Sequence, residues 1–96
     1  MDIDVVWNNI IKNEGEMFYT KRDKIQFRYT VNGDRIHPRP ANDSKIYPIT
    51  KDTIKEVITN YMPLRTVSQL QQKFFAPSYI YAILTDPRIV LSITAS

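Results

Sequence analysis

The chain reads as an α+β domain: an N-terminal helix, a three-stranded antiparallel β-meander, then three short helices and a C-terminal strand. Three observations carry this reading. First, Ile25, Phe27, Tyr29 and Val31 alternate with Gln26, Arg28 and Thr30, the period of a half-buried strand. Second, Asn32-Gly33 follows directly, and both residues tolerate the positive φ that a tight type I′ hairpin turn needs. Third, the period changes on either side of the hairpin. Ile3, Val6, Trp7, Ile10 and Ile11 precede it, and Ile54, Val57, Ile58 and Tyr61 follow it, each set marking one helix face.

Asp2 or Asp4 caps the first helix, and Gly15, after Asn13-Glu14, ends it in a left-handed turn. Trp7 lies mid-stripe and is expected in the core, pinning the helix to the sheet; a ligand-stacking role is the lesser alternative. Glu16 to Thr20 reads as a short strand, and Lys21 to Lys24 as a charged link, so residues 16–38 form the meander. With Asn32 and Gly33 as the two turn residues, Val31 faces Asp34, Thr30 faces Arg35, Tyr29 faces Ile36 and Arg28 faces His37. That register puts Ile36 with Phe27, Tyr29 and Val31 on one face, and Arg28, Thr30, Arg35 and His37 on the other. Pro38 and Pro40 stop the third strand, because proline cannot donate to a ladder.

Arg39 to Pro48 has loop composition and marks an internal boundary. One domain is expected, with helix and meander at 1–40, a loop at 41–49 and a helical half at 50–96. Thr50 is the N-cap of the second helix, with Ile49 and Ile54 as its hydrophobic staple, and Pro63 ends it. Thr66-Val67-Ser68-Gln69 has capping-box form and opens a short helix from Val67 to about Lys73. Phe74 and Phe75 are expected to plug the core. Pro77 suits the first turn of a helix holding Tyr79, Ile80, Ile83 and Leu84, and Asp86-Pro87 stops it. Arg88 to Ile93 is apolar and β-branched, and reads as a last strand.

The 96 residues suffice for one modest core. With no cysteine there is no disulfide, thiolate ligand or thiol nucleophile. Asp2 and Asp4 stand where a signal peptide would carry basic residues, and no apolar run approaches the roughly 20 residues of a membrane span. A cytoplasmic protein without membrane attachment is expected. The net charge is +3, but residues 21–45 hold seven basic and three acidic side chains, so the positive surplus sits around the hairpin. A basic patch suits a polyanionic partner.

Little points to catalysis. His37 is the only histidine and has no visible orienting partner. Glu14 and Glu16 flank Gly15 and read as solvated acids. The only glycines, Gly15 and Gly33, cannot form a phosphate loop, and no metal-ligand spacing occurs. A non-enzymatic chain without cofactor or metal is expected. The outward hairpin face presents Arg28, Arg35 and His37, with Lys24 and Arg39 at its ends, a set that suits phosphate contacts of a nucleic acid. The plain alternative is the polar face of any sheet packed on one side. The later helices follow a helix-turn-helix order, but Gln71 and Phe75 stand where such motifs favour small residues or glycine. The helix from Pro77 to Leu84 carries no lysine or arginine. Phe75, Tyr79 and Tyr81 instead suit a protein partner or a homodimer, since tyrosine is enriched at interfaces.

Two stretches carry a likeness: Trp7-x-x-Ile10 with Glu14-Gly15-Glu16-x-Phe18-x-Thr20 and Phe27-x-Tyr29-x-Val31-x-Gly33, then Pro77-Ser78-Tyr79 with Ala82-Ile83-Leu84-x-Asp86-Pro87-Arg88-Ile89. Over nearly its whole length the chain resembles a group of small bacterial proteins of uncharacterised function. The resemblance implies a stand-alone bacterial cytoplasmic protein and carries no activity with it. It also implies structural roles for Gly15 as a helix stop and for Asp86 as a cap or partner of Arg88.

Overall fold

A computed structural model describes residues 2–94. Helix α1 (Ile3–Lys12) starts at Asp2, whose carboxylate accepts the Asp4 N–H at 2.8 Å. Val6, Trp7 and Ile10 are buried and Ile3 packs beside them, whereas Ile11 is 45% exposed, so the apolar stripe is narrower than its spacing suggests. Trp7 is a core residue, as expected. Asn13 caps the helix, and Gly15, at φ +84, turns the chain toward the sheet.

The sheet has four antiparallel strands in sequence order: β1 (Phe18–Tyr19), β2 (Gln26–Asn32), β3 (Arg35–Pro40) and β4 (Ile49–Thr50). The meander therefore gains a strand, because Ile49 and Thr50 pair with Ile36 and Arg35 before the chain turns into a helix. The hairpin turn lies one residue later than expected. Asn32 pairs with Arg35, leaving Gly33 and Asp34 as the turn. Gly33 has φ +61 and Asn32 does not have positive φ, so glycine occupies the first central position, where a type II′ turn requires it. The Lys51 N–H donates to the Asp34 carbonyl at 2.8 Å and ties this turn to the following helix. The pairs become Val31 with Ile36, Thr30 with His37, Tyr29 with Pro38 and Arg28 with Arg39. Moving the turn by one residue slides β3 by two along β2. Two residues are one full side-chain period, so each face keeps its members.

Pro38 and Pro40 do not stop β3; they lie inside it, buried, opposite Tyr29 and Phe27. The Ala41 N–H donates to the Gln26 carbonyl, which fixes the alternation: odd residues of β3 turn their backbone groups toward β2. The proline nitrogens thus point to the other edge, beyond the reach of β4, where no ladder donor is required.

Helices α2 (Lys51–Asn60), α3 (Ser68–Gln71), α4 (Pro77–Leu84) and α5 (Pro87–Thr94) follow. Thr50 caps α2, its hydroxyl accepting the Thr53 N–H at 3.2 Å, and Ile49 and Ile54 are both buried. At α3 the Gln69 side chain reaches back to the N–H groups of Arg65 and Thr66. The strand expected from Arg88 to Ile93 is instead α5. Capping chemistry outweighs β-branched composition here. Asp86 accepts the Arg88 N–H at 2.8 Å, Pro87 takes the first helical position, and the Val90 N–H reaches the Asp86 carbonyl. α5 then lies against α1, and the Asn9 amide donates to the Ile89 carbonyl at 2.8 Å.

One buried cluster joins the two halves of the chain, with Phe18, Phe27 and Ile36 from the sheet and Leu70, Ile80 and Ile89 from the helices. Among the described residues no helix is long and apolar enough to cross a membrane.

Tyr29 is fully buried and its hydroxyl donates to the Ile10 carbonyl on α1. Tyr29→Phe keeps the ring and should cost about 1 kcal/mol in urea unfolding, while Tyr29→Ala should cost about 3–5 kcal/mol through the cavity. Burial raises the phenol above its ordinary value. A raised folded-state value gives stability that is whole below about pH 10 and lost as pH rises further. The alkaline fall in stability should therefore be shallower in Tyr29→Phe than in the parent.

Asp86 has the opposite sign. Burial alone would raise its carboxyl, but hydrogen bonds from the Arg88 side chain and backbone, with the charges of Arg88 and Lys21, hold it below the usual carboxylate range. Its stabilisation is present above about pH 4 and lost as pH falls further. Asp86→Asn keeps a capping oxygen and loses the charge. It should cost about 1 kcal/mol at neutral pH, since Arg88 is partly exposed and screened, and nothing near pH 2.

Candidate nucleic-acid interface

Because Phe27, Tyr29 and Ile36 face the core, the alternate residues must face away from it. Arg28 on β2 and Arg35, His37 and Arg39 on β3 share this outward face. Along β3 Arg35, His37 and Arg39 recur every second residue, about 7 Å apart, so each can reach a different phosphate of an extended backbone. Tyr19 and Gln26 pair across β1 and β2 on the same face, and Tyr19 is 50% exposed. No Asp or Glu occupies an outward position of any of the four strands.

Arg28 and Arg39 are directly paired across the ladder. Like charges directly opposite in a ladder are destabilising, and an acid nearby would offset them. Here no ion pair forms to Arg28, Arg35 or Arg39 among the described residues. Arg28 instead donates through one guanidinium nitrogen to the Gly15 carbonyl, which anchors it and leaves its other donors. With Met17, Gln26, Phe27 and Ala41, Arg28 and Arg39 line a shallow pocket of ≈ 100 Å³.

Glu14 and Gly15, read from sequence as a solvated acid and a helix stop, hold the edge of β2. The Glu14 carboxylate accepts the Val31 N–H at 2.7 Å, and the Gly15 N–H donates to the Tyr29 carbonyl at 3.0 Å. They cover the backbone groups that the two-residue β1 is too short to pair. This spends Glu14 on the strand edge.

Of the residues singled out in sequence, Arg28, Arg35, His37 and Arg39 come together. Lys24 stands apart, in the β1–β2 connection at φ +57, with its N–H on the Thr20 carbonyl. Tyr19 was missed. Its signal was the position after Phe18 in a strand, which by alternation faces the opposite way.

The helical contact surface of Phe75, Tyr79 and Tyr81 does not assemble. Tyr79 is buried, its ring edge-on to Phe27 at 4.8 Å, and burial raises its phenol. Tyr81 is half-buried and its hydroxyl donates to the Arg65 carbonyl at 2.9 Å. Phe75 does not plug the core; it is 76% exposed and meets Tyr47, itself 69% exposed, at 5.2 Å between ring centroids. Helix α4 is apolar nearly all round, so its two tyrosines are consumed by packing on both sides.

Among the described residues, no three of His, Asp and Glu gather as metal ligands.

If Arg28 and Arg39 repel, removing one should relieve the fold. Arg39→Ala should leave stability unchanged or raise it by about 0.2–1 kcal/mol in urea unfolding, and Arg39→Glu, facing Arg28, should raise it further. A loss of stability in both variants would show that Arg39 serves the fold and not a ligand. No protein-family model matches this chain, and no curated protein or solved structure matches it.

Proposed function

We propose that this chain is a non-catalytic module that binds nucleic acid weakly through the outward face of its sheet. The observation that carries the reading is the facing pair Arg28 and Arg39, flanked by His37 and Arg35, on strands with no outward acid. Repelling charges without compensation break a local rule of sheet stability, and such breaks concentrate at functional sites. A phosphate between the two guanidinium groups would supply the missing negative charge and accept their forked N–H donors. Three or four phosphate contacts give modest affinity with a measurable salt dependence. Titration of a labelled oligonucleotide at several salt concentrations should give a log–log slope of about −2 to −3. Arg35→Ala and Arg39→Ala should each reduce the slope by about 0.7–0.9 and weaken binding across all sequences alike. Absence of binding at low salt, or full binding in the combined Arg35→Ala/Arg39→Ala variant, would overturn the reading.

A second reading, a protein-contact surface, has one specific support: the exposed Tyr47–Phe75 pair. Exposed aromatic side chains of this size suit a partner or a second copy of the chain. Light scattering of the parent and of Phe75→Ser tests it. A concentration-dependent dimer that Phe75→Ser abolishes supports it, and a monomer at every concentration removes the homodimer.

A further inference from the structure

Granting the nucleic-acid reading, we infer that the ligand is a single strand, with Tyr19 as the platform on which a base stacks beside the Arg28–Arg39 phosphate contact. The argument begins with the shape of the sheet. A two-stranded ribbon reads a duplex by entering its major groove. The β2–β3 ribbon cannot do so, because β1 flanks it at its open end, β4 at its turn end, and its inner face is buried. What the sheet offers instead is an open face. Single strands are bound on such faces, since their backbone follows cations while unpaired bases stack on aromatic rings.

Tyr19 supplies the ring. It is 50% exposed on the cationic face, whereas the rings beside it in sequence and space, Phe18, Phe27 and Tyr29, are all buried. Phe18 meets Phe27 and Tyr29 with centroids 5.8 and 5.3 Å away. Among the described residues no ring contact or side-chain hydrogen bond holds Tyr19, so the packing of those residues does not require a large aromatic there. Gln26 lies directly across the ladder from it, with an amide that can donate to and accept from a base edge. Arg28 follows two residues on along the same face of β2. Base platform, amide and paired guanidinium groups thus lie next to one another across one surface, a base site beside a phosphate site.

The test uses fluorescence anisotropy with labelled pyrimidine RNA and DNA of about 12 nucleotides, the matching duplex, and inorganic polyphosphate as a pure polyanion. Parent, Tyr19→Phe, Tyr19→Ala and Arg35→Ala/Arg39→Ala are compared at low and moderate salt, with circular dichroism confirming the fold of each. Single strands should bind about tenfold tighter than duplex or polyphosphate. Tyr19→Ala should lose about tenfold on single strands with little change on the other probes, and Tyr19→Phe should retain the parent affinity. Equal affinity for all probes with Tyr19→Ala unchanged would overturn the stacking role while leaving the polyanion reading standing. No binding of any probe, or binding indifferent to the arginines, would overturn both.

Discussion

Tyr29 is where the first helix and the sheet become one body. Its ring sits at 5.3 Å from Phe18, its hydroxyl reaches the Ile10 carbonyl near the end of α1, and its backbone carbonyl takes the Gly15 N–H just beyond that helix. Three bonds and contacts from one residue fix which side of β2 looks inward. Everything on the outward side follows from that choice, because the β2–β3 register runs one-to-one and residues of such a ladder alternate sides. With Tyr29 in, Arg28 and Thr30 must be out, and pairing carries the same sorting to Arg35, His37 and Arg39.

The features legible in the sequence were those with a period or a cap. The α1 stripe, the Thr50 cap and the two-faced hairpin all have local causes. The exact turn did not, because Asn32-Gly33 and Gly33-Asp34 are both acceptable two-residue turns. What chooses between them lies 17 residues away, where Lys51 bonds the Asp34 carbonyl and Ile49 pairs with Ile36. The sorting survived only because the displacement was a whole side-chain period. The β4 pairing was invisible for the same reason: two residues in a loop carry no alternation. Composition misled at Arg88 to Ile93, where β-branched residues suggested a strand and Asp86-Pro87 started a helix. It misled again at Pro38 and Pro40, whose tolerance in β3 depends on which edge their nitrogens face.

The candidate site was half legible. Charge and register put Arg28, Arg35 and His37 on one face before any coordinates, with Lys24 and Arg39 at its ends; Arg39 joins that face and Lys24 does not. The roles of Glu14 and Tyr19 needed the sheet itself. Glu14 satisfies a backbone donor that a two-residue neighbour strand cannot reach, and Tyr19 is left outside by the same short strand that carries Phe18 inward. The aromatic surplus of the C-terminal half proved mainly structural: Tyr79 joins the Phe18–Phe27–Tyr29 cluster through Phe27, and the exposed pair recruits Tyr47 from a loop that carries no pattern.

The central claim is spatial: one face of the sheet, and no other surface, meets the ligand. Amide chemical-shift mapping on isotope-labelled protein with an unlabelled single-stranded oligonucleotide tests it most directly. The account predicts that shifts concentrate at Tyr19, Gln26, Arg28, His37 and Arg39 and grow weaker with added salt. Shifts centred on Tyr47 and Phe75, or spread without pattern over the chain, would contradict it.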